Sequence, residues 1–163
     1  MDREPAVAIS AIGQQDVAAN PLQMALVAAA IANDGVEMQP RLVTEARDPS
    51  GRVIAEFDPH EFSEPLSPEN AAALTQMMVG VVESGTGTAA QIPGVTVAGK
   101  TGTAQHGDGE DPHAWFVCFA PAEAPQIAVA VIVLDGGSLG SEATGGQVAA
   151  PIARAVLEAA LGA

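Results

Sequence analysis

The sequence predicts an α+β fold: an antiparallel sheet of three consecutive C-terminal strands, plus a small surface hairpin, packed with helices. Two observations carry this reading. Three β-type runs, "VTVAGKTGTA", "AWFVCFAP" and "QIAVAVIVLD", follow one another, while two helical patterns precede them and one follows. The second and third runs are joined by only a few residues around "AEAP". Parallel strands need a crossover of about a dozen residues, so these two must be antiparallel neighbours.

In chain order, "NPLQMALVAAAIANDG" offers Asn20 as N-cap, Pro21 at the first helical position, strong helix formers and a stop at Gly35. That predicts a helix over 21–33. "RLVTEARDPSGRVIAEF" sets two β-rich runs around "DPSG", a turn tetrapeptide with Pro in second place, and predicts a surface hairpin over 41–57. "SPENAAALTQMMVGVVESG" opens on a capping Ser67 and a proline, then lines up Ala73, Met77 and Val81 on one face. A helix over 68–84 follows, with Met77 and Met78 as packing residues. The strands are placed at 95–104, 114–120 and 126–135, with Cys118 a small apolar residue in a buried strand and Trp115 in the core or a cleft wall. "GGQVAAPIARAVLEAALGA" closes the chain as a helix over 146–161, in which Pro151 should mark or kink the first turns.

Composition restricts the partners. The formal net charge of −14 argues against nucleic acid and anionic lipid, which an acidic surface cannot neutralise, and favours a small molecule or peptide. Five of the six basic residues are arginines, so Lys100 is the only lysine. A single cysteine excludes an internal disulfide and a site of several thiolates. "LQMALVAAAIA" is too short to span a bilayer, and no anchor is expected within these residues.

"GVTVAGKT", from Gly94 to Thr101, fits the phosphate-loop pattern GxxxxGK[ST], and Asp135 ends an apolar strand as a magnesium-holding acid would. The context opposes this reading. A phosphate loop feeds a helix whose N-terminal N–H groups converge on the anion. Here Gly102, Gly107, Gly109 and Pro112 follow within a few residues and forbid a helix. Val95 and Val97 alternate with Thr96 and Ala98, so the supposed loop itself reads as strand. As a strand, "VAGKTGTA" sets Lys100 and Gly102 on one face and Thr101 and Thr103 on the other, unless Gly102 distorts the pleat. An edge offering N–H groups, hydroxyls and one cation suits an extended peptide ending in a carboxylate.

"KTGT" resembles the lysine-threonine-glycine element of penicillin-binding proteins and serine β-lactamases. "GQQDVAANPLQMALVAAAIANDG", "GTGTAA", "VAGKTGTAQ" and "HAWFVCFAP" resemble, in order and spacing, the C-terminal half of a class B penicillin-binding protein transpeptidase domain, nearest the actinobacterial penicillin-binding protein A group. The resemblance covers the chain from about Ile12 onward. It implies a partial β-lactamase/transpeptidase-like fold, with residues 1–163 a C-terminal fragment of the domain. It also implies that Lys100 supports proton transfer, that the Thr101 and Thr103 hydroxyls hold the carboxylate of a D-alanyl-D-alanine stem peptide or a β-lactam beside Gly102, and that the Thr103 N–H supplies half of an oxyanion hole. The parent protein would act at the extracytoplasmic face of the cell membrane. Where Cys118 stands, the family commonly has glycine.

The family acylates the serine of an SxxK motif and uses an SxN motif, and neither occurs here. With Lys100 the only lysine, SxxK would require serine where Val97 stands, and no serine is followed two places on by asparagine. The chain is thus expected to be half an active site, inactive alone, whose partners are the missing N-terminal half and, through an exposed strand edge, other copies of itself. A non-catalytic peptide- or partner-binding module is the alternative, and a nucleotide-binding protein is less favoured. No cofactor is expected. His106 and His113 with Asp108, Glu110 and Asp111 read as a solvated connection between strands, and no metal is expected there.

Overall fold

The computed structural model describes residues 4–14, 17–107 and 109–163. After a short helix α1 (Glu4–Ala11), which the sequence reading did not assign, comes α2 (Pro21–Ala32). Its start is fixed locally: Asn20 Oδ1 accepts the Gln23 N–H at 2.9 Å while the Asn20 N–H donates to Gln23 Oε1 at 2.9 Å, and Pro21 fills the first turn. The helix expected over 68–84 is α3 (Pro68–Glu83), where Ser67 Oγ accepts the Asn70 N–H at 3.3 Å.

Between them the surface hairpin is built from β2 (Glu45–Arg47) and β3 (Val53–Glu56). The Asp48 carboxylate closes its turn by accepting from the Ser50 hydroxyl and from the Ser50 and Arg52 N–H groups. The Ser50 hydrogen bond, ahead of that from the Arg52 backbone, holds the Asp48 carboxyl below the usual carboxylate range. A second ladder, β1 (Glu37–Met38) with β4 (Glu61–Ser63), forms at the base. It lies outside the expected 41–57 because such short strands exist only by pairing with each other.

The main sheet joins β5 (Ala98–Ala104), β6 (His113–Ala120) and β7 (Ile127–Val133) in that spatial order, antiparallel throughout. Here the expected strand 95–104 is corrected at its start. Gly94 turns at φ +79°, the Val95 N–H returns to the Ile92 carbonyl at 3.1 Å, and Thr96 O is taken by the Ala122 N–H at 2.8 Å. Residues 95–97 therefore lie outside the ladder. At the other end, 134 and 135 leave β7: Asp135, Gly136 and Gly137 adopt φ of +51°, +65° and +59° and lead into 3₁₀ turns over Leu134–Glu142.

Register assigns the two faces of the sheet. Gly99, Thr101 and Thr103 pair with Cys118, Phe116 and Ala114, which in turn face Val129, Val131 and Val133. Much of this face lies in one core cluster, with Phe116 and Cys118 fully buried against Ala149, Ala153 and Leu157. The opposite face carries Ala98 and Phe119 against Ala28 of α2 and Met78 of α3. Burial pushes the Cys118 thiol up to about 12, as suits a packing residue. Met78 is buried, but Met77 is largely exposed and contributes nothing to the core, contrary to the sequence reading. It sits one residue, about 100° of helix, away from its packed neighbour.

The helix expected over 146–161 is two pieces. A π-helical turn (Gly145–Ala149) runs directly into α4 (Ala150–Leu161), and Pro151 stands at the start of α4, so the departure from α-helical geometry falls where the proline is expected to mark or kink the first turns.

Candidate active site

Lys100, Thr101, Gly102 and Thr103 occupy the middle of β5, whose pairing to β6 runs without a bulge from Ala98 to Ala104. Gly102 therefore does not distort the pleat. Lys100 shares a face with Val117, and Thr101 and Thr103 share the other. The phosphate-loop reading is excluded by the same geometry, because Lys100 and Thr101 lie within a strand and no helix follows them.

Strand β5 pairs with β6 alone, so its outer edge has no strand partner among the described residues. Two side chains report which backbone groups face outward. The Lys100 ammonium donates to Thr101 O at 2.6 Å, and the Gln14 amide donates to Thr103 O at 3.2 Å. In an antiparallel ladder both polar groups of a residue turn toward the partner strand or both away. The N–H groups of Thr101 and Thr103 consequently point out beside their carbonyls, while those of Gly102 point toward β6. The segment around Gln14 runs past this end of the strand, and a cleft there is lined by Ile12, Val17, Met24, Thr103 and Trp115. Trp115 is half-buried and forms part of that wall.

Two features hold the strand from the other face. The Thr101 hydroxyl lies 2.7 Å from the Thr86 hydroxyl, which comes from the "GTGT" loop after α3. The Gly145–Gly146 pair presses backbone against backbone. A Cβ on Gly145 would stand 2.0 Å from Trp115 O and 2.8 Å from Gly102 O, and one on Gly146 would stand 2.1 Å from Thr86 O. Sequence reasoning assigned none of these supporting residues. In the sequence Thr86 belongs to "GTGTAA" with no role to mark it, and the glycine pair reads only as a helix start.

The loop between β5 and β6 brings His106 and His113 together as a tilted pair with ring centroids 3.7 Å apart, and Asp135 completes a cluster with them. The sequence reading had named Asp108, Glu110 and Asp111 as companions of the histidines. Of these Glu110 contacts His106 at 2.7 Å, and Asp108 lies outside the described residues.

The residues thus build a three-stranded antiparallel sheet flanked by helices, with a lysine-threonine-glycine-threonine strand at its open edge. The family model of the penicillin binding protein transpeptidase domain matches residues 3–158, and the chain belongs to that family. Among its relatives is the peptidoglycan D,D-transpeptidase PbpA of Mycolicibacterium smegmatis, 50% identical over 159 residues, which cover 96% of this chain and 32% of the relative. The PbpA of Mycobacterium tuberculosis is 48% identical over the same shares. The ceftriaxone acyl-enzyme complex of penicillin-binding protein A from M. tuberculosis superposes with a TM-score of 0.90 at 47% identity, covering 96% of this chain and 35% of that one. The penicillin G acyl-enzyme complex of the same protein gives a TM-score of 0.82 at 45% identity. The chain thus spans about a third of the length of the relatives it matches. Among the described residues no helix is long and apolar enough to cross a membrane.

Proposed function

We propose that residues 1–163 form the C-terminal part of a serine D,D-transpeptidase domain and supply the Lys100–Thr103 wall of its active site for peptidoglycan cross-linking. The observation that carries this is the outward edge of β5, where one cation, two threonines and the outward N–H of Thr103 lie within four consecutive residues. Lys100 supports the field and proton transfer around the acylating serine. The Thr101 and Thr103 hydroxyls, flanking Gly102, bind the carboxylate of a D-alanyl-D-alanine stem peptide or of a β-lactam that mimics it. As the serine attacks the carbonyl, the developing oxyanion takes a hydrogen bond from the Thr103 N–H, a kind of donor whose loss costs about 3 kcal/mol in other acyl transferases. The serine and its lysine come from residues other than these, since the sequence holds no SxxK. In the parent protein this chemistry is placed at the extracytoplasmic face of the membrane.

Intact mass spectrometry with a labelled penicillin tests the division of labour. A full transpeptidase domain containing this chain should gain one acyl group, and the 163-residue chain alone should gain none. A stoichiometric adduct on any serine of the isolated chain would overturn the assignment.

The same reading makes β7 an interior strand of the complete domain. In the chain alone its outer edge is unpaired among the described residues, and the strand Ile127–Val133 is entirely apolar. An uncharged edge of this kind templates pairing with another chain. The isolated chain should therefore self-associate as concentration rises, as read by sedimentation velocity. A concentration-independent monomer whose amides over 127–133 resist hydrogen exchange would contradict this.

A further inference from the structure

The cluster at the far end of the β5–β6 hairpin lies outside the penicillin-recognising edge and has its own chemistry. The register that pairs Ala104 with His113 and Ala114 with Val133 sets His113 at the base of the hairpin, next to the point where β7 ends. Asp135 turns out of β7 in a left-handed conformation at φ +51°, which aspartate tolerates better than most residues, and this places its carboxylate between the two imidazoles. Asp135 Oδ1 is 3.2 Å from His106 Nε2 and 3.4 Å from His113 Nδ1.

These separations match a coordination polyhedron. With metal–ligand bonds of about 2.0–2.1 Å to imidazole nitrogen and carboxylate oxygen, ligand atoms around a tetrahedral zinc-class ion lie about 3.3 Å apart. The second shell is also in place. Glu110 Oε2 lies 2.7 Å from His106 Nδ1, and in the neutral tautomer whose Nδ1–H donates to that carboxylate the Nε2 lone pair is turned toward Asp135. A carboxylate behind a histidine, fixing its tautomer and raising its basicity, is the usual support of a histidine ligand.

The atom that a bound cation would satisfy is His106 Nε2. The atom is buried from solvent and has no hydrogen-bond partner in the structure, although a carboxylate oxygen stands 3.2 Å away. In the neutral tautomer that donates from Nδ1 to Glu110, two lone pairs face one another across that gap. A buried polar atom in that position is costly unless a proton or a metal ion lies between. The His113 Nδ1 lone pair is at present used by the Asp135 N–H at 3.1 Å, so loading would exchange that hydrogen bond for a coordinate bond. Asp135 remains largely exposed, which leaves room for water as a fourth ligand.

We propose that His106, His113 and Asp135, oriented by Glu110, form a binding site for a divalent zinc-class metal ion that staples the β5–β6 loop to the end of β7. The chain's formal charge of −14 favours accumulation of such cations. The ion plays no part in acyl transfer. It anchors the far end of the strand that carries Lys100 to Thr103.

The test uses a transpeptidase domain containing this chain, freed of metal and titrated with Co²⁺ and Zn²⁺. Co²⁺ should develop the intense visible absorption of a four-coordinate site, saturate at one equivalent and be displaced by Zn²⁺. His106→Ala and His113→Ala should each weaken Zn²⁺ binding by at least about 100-fold, and Glu110→Gln by about 10- to 100-fold. Asp135→Asn, which keeps the side-chain shape, covers the case in which a histidine variant misfolds, and it should weaken binding at least about ten-fold. The Asp135 amide resonance should shift on loading as its hydrogen bond to His113 is lost. His60→Ala, removing the remaining histidine, should bind as the parent does. Absence of the cobalt spectrum, or Zn²⁺ affinity unchanged in His106→Ala and Asp135→Asn, would overturn the proposal and leave the histidines as ion-pair partners of Glu110 and Asp135.

Discussion

Replacing Lys100 with alanine in a transpeptidase domain containing this chain should lower the second-order rate of penicillin acylation by about 10²- to 10³-fold, the scale of losing a principal electrostatic group from an acyl-transfer site. Lys100 is the only cation on the Lys100–Thr103 edge, and among the described residues its ammonium is restrained by the Thr101 carbonyl alone, at 2.6 Å. Its removal takes away both attraction for the substrate carboxylate and support for proton transfer, so single-turnover kinetics should show the acylation step and the apparent affinity falling together. Thr103→Val should behave differently. Its hydroxyl is exposed and its N–H is untouched by the change, so the expected loss is that of one charge-assisted hydrogen bond, about 1.5–3 kcal/mol, mostly in binding. Thr86→Val offers a comparison, since it leaves the Thr101 hydroxyl in place and removes only its 2.7 Å neighbour. Parental acylation rates in both Lys100→Ala and Thr103→Val would show that this edge does not carry the chemistry proposed for it.

The parts of the fold that were legible in the sequence are those decided within a few residues. Asn20-Pro21 and Ser67-Pro68 open helices because the cap and the proline act on the first turn alone. The order β5-β6-β7 follows from connections too short for a crossover. What escaped depends on distant backbone. The β1–β4 ladder joins residues more than twenty apart through strands that have no propensity worth reading. Strand β5 starts at Ala98 only because Ala122 takes the Thr96 carbonyl. The site divides in the same way. Lys100 to Thr103 stand together in one motif, whereas Thr86, Gln14 and Gly145 reach that motif only through tertiary packing. In the sequence Asp135 reads as a strand-ending acid, and His106 and His113 as part of a solvated loop. Only the register of three strands shows that they meet.

Gly145→Ala should be among the most damaging single-methyl additions in the chain. Gly145 opens the π-helical turn before α4, and the position of its missing Cβ is 2.0 Å from Trp115 O, 2.8 Å from Gly102 O and 2.9 Å from Gly102 N. Real side-chain carbons do not approach that closely, and every one of these neighbours is backbone of the central ladder, with no rotamer by which to yield. Either the turn lifts off the sheet or β5 and β6 part at the Gly102–Trp115 pair. Overpacking in a well-packed interior costs about 1–3 kcal/mol and occasionally more, and a rigid backbone target belongs at the upper end. For a unit of this size that corresponds to a fall in Tm on the order of 10 °C. Because the clash falls on Gly102, between Thr101 and Thr103, penicillin acylation by the surviving folded fraction should fall as well. Gly80→Ala is the matched control. Gly80 lies inside α3 with nothing within 4 Å of its missing Cβ, so alanine there should raise stability by about 0.5–1 kcal/mol and leave acylation unchanged. Thermal denaturation and acylation measured on the pair decide the matter. A Gly145→Ala variant that melts with the parent and acylates at its rate would mean that the turn does not bear on β5 as described.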